Sequence, residues 1–336
     1  LKEVKGKTKS PAGPQKEGFG SAEFPGTSAY FQEEVIVNNK LVALIVALLL
    51  VTVLFVVVYL ILPDSGWGAS DVPTRFLFVA IGAVIVLVIY YLTRNNPAWT
   101  VGTREVVYMA LGAALYGVFA WLFNGTVFAV PSVSQVALRP AIAIPILFGY
   151  LFGPVVGFFT GAVGNTIGDM LSGWVSPQWS FGNGLVGLIS GMVMLFGDKK
   201  RSLNTVMIIG VAGALLGTLI WLLNPNEANQ MAPPFDQPIS IFAGISVVVG
   251  IVLVLAIRFG LSQQIDLVAA VVWGSLGIVL GIGFAAISDM WINGYSLAVA
   301  IVGEYIPAAG PNLIAAAILV PILLVAYQGV QQQTGR

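Results

Sequence analysis

Asn165 and Asp169 stand four residues apart in the segment GFFTGAVGNTIGDMLSGW, residues 157–174, so they share one face of a helix. An ionisable group near a membrane span is costly. Asp169 is therefore either a functional group or, because it sits near the helix end, a water-exposed cap. Arg139 opens the preceding apolar run and has two readings. It pairs with Asp169, or it grips a substrate carboxylate or phosphate. Three stretches between apolar runs collect rings and amides instead of charges. Residues 124–138 hold Asn124 and Gln135. Residues 173–183 hold Trp174, Gln178, Trp179 and Asn183. Residues 289–311 hold Asp289, Trp291, Asn293, Tyr295 and Glu304. Stacking rings with hydrogen-bonding amides suit a planar small molecule, although Trp and Tyr also anchor proteins at any membrane interface.

The chain has no Cys and no His. Thiolate metal sites, disulfides, His-ligated haem and His-based hydrolysis are thereby excluded, and no cofactor is expected. No phosphate-binding G-x-x-x-x-G-K-[ST] motif occurs, and no nucleophile–base or metal cluster is visible, so binding is expected and not catalysis. No basic stripe with interleaved aromatics points to nucleic acid.

The elements that position these residues follow from composition. Of 336 residues, 57% are hydrophobic and 9% charged, with a mean hydropathy of +0.92. Soluble domains average roughly 25% charged residues, so this is a polytopic membrane protein. Eleven of the thirty Asp, Glu, Lys and Arg residues fall in residues 1–40, a polar arm with the composition of a disordered segment and not of a signal peptide. A partner or the membrane domain itself is expected to hold it. Ten apolar runs follow: 41–62, 76–92, 105–123, 139–152, 154–172, 183–197, 204–223, 239–257, 267–288 and 312–328. Ten crossings put both termini on one side. Thirteen of the fifteen Lys and Arg residues then share that side, while Arg75 and Arg139 fall opposite. The positive-inside bias makes the termini cytoplasmic.

Small residues recur at helical spacing. Gly157, Gly161, Gly164 and Gly168 line one face, which chiefly serves close helix packing. Ala110, Ala114 and Gly117 form a second stripe, either internal or the flat face where another membrane subunit docks. Gly210, Gly213 and Gly217 match Gly274, Gly277 and Gly281 at a constant offset, through duplication or shared packing constraints.

The segments REVVYMALGAALYGVFAWLFNG, LRPAIAIPILFGYLFGPVVGFFTGAVGNTIGDMLSGW, FGNGLVGLISGM, FAAISDMWINGYS and GEYIPAAGPNLIAAAILVPILLVAY, in that order, resemble the substrate-binding S component of energy-coupling factor (ECF) transporters. The resemblance covers roughly residues 104–330. It implies an all-helical membrane bundle that captures a vitamin-like, water-soluble nutrient from outside a prokaryotic plasma membrane. A membrane coupling subunit and ABC-type ATPases would energise its release inward. The family's A-x-x-x-A docking face maps to Ala110 and Ala114, and Arg139, Asn165 and Asp169 match recurrent positions near the outer cavity.

The expected organisation is a cytoplasmic arm (1–40), a two-helix membrane extension (41–103), an S-component-like domain (104–330) and a short tail (331–336). The domain exceeds the usual six helices by two, with the 204–257 hairpin as the apparent insertion. Expected ligand contacts are Arg139, Asn165, Asp169, Trp174, Trp179, Asn183, Asp289, Trp291, Asn293 and Tyr295. The alternative function is a non-catalytic accessory subunit that joins another membrane complex through residues 1–92.

Overall fold

A charge-free run such as Leu41 to Leu62 must satisfy its backbone groups internally in lipid, and a helix does so within one segment. The computed structural model describes residues 27–62, 71–124, 129–231 and 235–334, with side chains from residue 39 onward. The chain divides into two units, residues 1–36 and 37–336. Of the first, only residues 27–36 are described, and they are helical. Residues 27–40 of the expected disordered arm are thus helix, while residues 1–26 lie outside the described residues.

The described residues form ten α-helices in order: α1 Thr27–Ile61, α2 Val72–Thr93, α3 Thr103–Phe123, α4 Ala143–Phe152, α5 Pro154–Leu171, α6 Pro177–Gly191, α7 Lys199–Leu223, α8 Ile241–Gly260, α9 Ile265–Ile292 and α10 Ile306–Thr334. Among the described residues there is no strand, only isolated bridges at Ala129–Ala137 and Ala228–Pro238. Proline opens both α5 and α6, where its missing N–H costs nothing. Gly153, at φ 102°, turns the corner between α4 and α5. The expected tail is mostly a continuation of α10, which runs to Thr334.

The ten described helices answer the ten apolar runs, but not all have the length and composition to cross a membrane alone. Seven are long and apolar enough to do so. The others are α4, α5 and α6, with 10, 18 and 15 residues. At ~1.5 Å per residue, α4 spans only about half of a ~30 Å hydrocarbon core. These short helices form the inside of the bundle, where polar and glycine-rich sequence is shielded from lipid.

Burial separates core from shell. In α9, 83% of the apolar window is buried, against 22% in α2. The shell helices α1, α2, α3, α7 and α8 turn Leu, Val and Ile side chains outward, as lipid requires. Burial in lipid gives apolar side chains no reason to cluster, so close packing of small residues holds the core. A Cβ at Gly182 of α6 would lie 2.6 Å from the Gly281 carbonyl of α9, and one at Gly277 would lie 2.6 Å from the Val186 carbonyl. On the other flank, Gly164 of α5 would meet the Ala113 carbonyl of α3 at 2.9 Å, and Gly168 would meet Ala120 Cβ at 2.7 Å. The two glycine triplets have different jobs. Gly213 of α7 faces Val279 of α9, whereas Gly277 and Gly281 of α9 face α6.

Residues 37–61 of α1 and helix α2 belong to the second unit. Lys40 donates to the Asn96 carbonyl at 3.1 Å, and Asn96 Nδ2 donates to the Leu195 carbonyl at 3.0 Å. Trp99 is fully buried with its Nε1 on Thr93 Oγ1 at 3.0 Å. Helix α9 sets the long axis. Lys199 meets Asp266 at one end of it (2.7 Å), and Asp289 lies at the other, beside Gln178 and Trp179.

Candidate functional site

The glycines of α5 keep it close to α3 and α6, so the polar residues on its last two turns face inward instead of meeting lipid. Asn165 and Asp169 are both fully buried. Arg139, held just ahead of Pro140, reaches them from the preceding segment. Its Nη2 lies 2.6 Å from Asp169 Oδ1, its Nε donates to Asn124 Oδ1 at 2.9 Å, and its Nη1 donates to Asn165 Oδ1. Asn124 and Asn165 in turn donate to the two Asp169 oxygens at 3.0 and 2.8 Å. Asn165 also donates to Ser180 Oγ of α6 at 3.0 Å. The pairing that one reading of Arg139 expected is present. Every Asp169 oxygen is matched, and the guanidinium also lies 5.6 Å from the Trp174 ring centroid.

A second polar cluster stands across from the first. Arg75, in the first turn of α2, donates through Nη1 to Ser176 Oγ and Gln178 Oε1, both at 3.2 Å. Gln178 Nε2 and Trp179 Nε1 donate to the two Asp289 oxygens, each at 2.8 Å. Tyr116 donates to Asn183 Oδ1 at 2.8 Å, which fixes that amide between α3 and α6. Beyond α9, Gly294 at φ 69° turns the chain so that Tyr295 N–H returns to the Asp289 carbonyl. Burial, and after it the Glu304 and Asp289 carboxylates, push the Tyr295 hydroxyl up to about 12, so it stays a neutral donor. The loop around Ser132 is tied to Asn229 (3.1 Å) and, through Val133 N–H, to the Gly303 carbonyl (2.9 Å).

Between the two clusters lies a cavity of about 660 Å³, within the range of small-molecule sites. Of the expected contacts, Arg139, Asp169, Trp174, Trp179, Asn183, Asp289, Asn293 and Tyr295 line it. Asn165 does not; it braces Arg139 and Asp169 from behind. Trp291 does not either. It is 61% exposed, on the outside of the bundle, with its ring tilted 40° against that of Phe78 of α2 at 5.6 Å. A part-turn of helix separates Asp289 from the outward face, and sequence proximity alone hid that rotation. The docking stripe also divides. Ala110 and Ala114 are exposed, but Gly117 is buried, where a Cβ would lie 2.7 Å from Ile167 Cγ2 of α5.

Arg75, Ser134, Ser176 and Asn312 line the cavity and were not among the expected contacts. Arg75 had a signal. It is the second basic residue to break the positive-inside trend, and both rule-breaking arginines meet at this cavity. Two of the three stretches expected to be loops, 173–183 and 289–311, are largely helical. Gln178, Trp179 and Asn183 occupy the first turns of α6, Asp289 the last turns of α9, and Glu304 a π-helical stretch, Val299–Tyr305.

A model of the family described as ECF-type riboflavin transporter, S component, matches residues 100–259. A UPF0397 protein of Aliivibrio salmonicida is 34% identical over 161 residues, covering 44% of this chain and 85% of that protein. A UPF0397 protein of Vibrio atlanticus is 30% identical over 160 residues, or 44% and 86%. One of Aliivibrio fischeri is 40% identical over 90 residues, or 26% and 47%. No solved structure matches the chain. The matched residues run from α3 to α8. The 204–257 hairpin, expected as an insertion, therefore lies inside the matched region, and α9 and α10 lie outside it. With its ordered glycine-packed helices and two relatives covered over most of their length, this multi-pass membrane protein belongs to the family of ECF transporter S components.

Proposed function

We propose that the chain is the substrate-capture subunit of an ECF-type importer for one small, water-soluble, vitamin-like nutrient. The cavity between the Arg139–Asp169 and Arg75–Asp289 clusters carries this reading. Its volume fits a single vitamin-sized molecule, and its walls combine indole rings with amides, the lining a flat polar ligand needs. Arg75 and Arg139 at the cavity, with Lys199 at the far end of α9, support a prokaryotic plasma membrane orientation with cytoplasmic termini and an outward-facing cavity. Arg75 also makes the extension part of the cavity, which favours capture over a purely accessory role for residues 1–92.

Mass spectrometry of small molecules extracted from the purified protein tests the reading. One nutrient-sized compound is expected at near-stoichiometric amount, and Trp179→Ala or Asn293→Ala is expected to lower its occupancy about tenfold. Absence of any compound, together with uptake unchanged by both substitutions, would defeat it.

Energy for release comes from a separate coupling subunit and ABC-type ATPases, and Ala110 and Ala114 on the exposed face of α3 are the docking surface for the former. Leucine at both positions is tolerated by the fold, since both side chains face outward. It is expected to abolish copurification of the coupling subunit while the isolated protein retains its ligand. Undiminished copurification moves the docking surface elsewhere.

A further inference from the structure

Two arginines and three carboxylates line the cavity: Arg75 and Arg139 against Asp169, Asp289 and Glu304. They are not evenly matched. Arg139 is spent on Asp169, which is fully hydrogen-bonded. Arg75 has Asp289, Asp71 and Glu304 around it, and its Nη1 is already directed at Ser176 and Gln178. Asp289 receives Gln178 and Trp179. Glu304 is left over. It is completely buried, it lies in the cavity wall, and neither carboxylate oxygen has a hydrogen-bond donor among the described residues. Ser134 and Asp289 are its polar neighbours, but neither is placed to give its oxygens a hydrogen bond of full geometry.

A buried carboxylate without a donor is among the more expensive groups a protein can hold. Thr160 Oγ1 and Tyr305 Oη are also buried without partners, but they are neutral hydroxyls away from the cavity lining, where the penalty is smaller. Glu304 is held rigidly. The π-helical stretch places it, and Val133 N–H pins the preceding Gly303 carbonyl at 2.9 Å. A carboxylate so fixed, and short of a donor on the protein side, is completed by a donor on the occupant. The rings of Trp174, Trp179 and Tyr295 on the same walls favour a flat one.

We propose that the cavity selects a flat molecule carrying a basic, N–H-donating nitrogen group, and that Glu304 is the residue that receives this group. The inference rests on the capture reading and narrows its substrate class. It excludes carboxylate or phosphate ligands as the preferred cargo, because an anion would add to the unmatched charge.

Three isosteric probes, benzamidine, benzamide and benzoate, differ in charge and donors but hardly in shape. Titration calorimetry of the full chain in lipid nanodiscs is expected to rank benzamidine at least about tenfold above benzamide, with benzoate weakest. Glu304→Gln keeps the shape, removes the charge and should shrink the benzamidine advantage to less than about threefold. The order of the probes on wild-type protein already tests the assignment, even where the variant fails to fold. Benzoate ranking first, no binding of any probe, or an order that Glu304→Gln leaves unchanged overturns the inference. The capture reading fails separately. A nutrient that copurifies but lacks a basic nitrogen refutes the Glu304 assignment and leaves capture standing. The benzamidine preference without any copurifying nutrient or uptake leaves the Glu304 assignment standing and refutes capture.

Discussion

Valine in place of Gly187 is expected to prevent the bundle from assembling. Helices α4, α5 and α6 meet backbone to backbone at this point. A Cβ on Gly187 would overlap the Gly157 carbonyl, and a Cβ on Gly149 or Gly157 would overlap the Gly187 carbonyl. Overpacking typically costs about 1–3 kcal/mol when side chains can shift. Here both sides of the contact are main chain, so relief requires moving a whole helix, and α6 is also tied to α9 through Gly182 and Gly281. The loss is expected to exceed about 3 kcal/mol, a large share of the roughly 5–15 kcal/mol that a folded protein has. Gly187→Ala should already lower the thermal midpoint in detergent strongly. Gly210→Ala is the control. Its nearest neighbour would be Leu276 Cα at 3.7 Å, an ordinary contact, and alanine gains up to about 1 kcal/mol of helix propensity there. Equal midpoints for the Gly187 and Gly210 variants would refute this account of the core.

The second large effect is electrostatic. Arg139→Ala leaves Asp169 buried with its ionic partner gone, which typically costs about 3–5 kcal/mol. The amides of Asn124 and Asn165 remain, but they donate without neutralising charge. The double substitution Arg139→Met with Asp169→Leu is expected to recover most of the lost stability, since it removes both charges and keeps bulk. Thermal unfolding of Arg139→Met, Asp169→Leu and the double variant forms a mutant cycle with a coupling of at least about 2 kcal/mol. Additive losses would show that the pair is not coupled.

Much of this was legible in the sequence because lipid simplifies the rules. An apolar run long enough to cross a bilayer can only be a helix, and ten such runs became ten helices. Asn165 and Asp169 fell on one face because four residues make roughly one helical turn. Charge counting set Arg139 apart, and it did reach Asp169. Hydropathy then misplaced the helix boundaries. It ends a span where polar residues begin, yet α6 begins with Gln178, Trp179 and Asn183, and α9 runs past Asp289, because these residues face a cavity and not lipid. The same blindness hid that α4 and α6, at 10 and 15 residues, are shorter than the other helices, and that they and α5 are shielded by neighbours.

By itself the sequence determined the solvent of each segment, the helical class and the family, since these depend on composition and on the order and spacing of residues along the chain. Only the tertiary structure decided what meets across elements. It brought Arg75 from α2 to Gln178 on α6, and it turned Trp291 away while keeping Asp289 inside. It also buried Glu304 in the cavity wall without a donor of full geometry among the described residues. Such contacts depend on how helices rotate and approach one another. In lipid, that is set by small-residue packing between helices distant in sequence, which no single segment encodes.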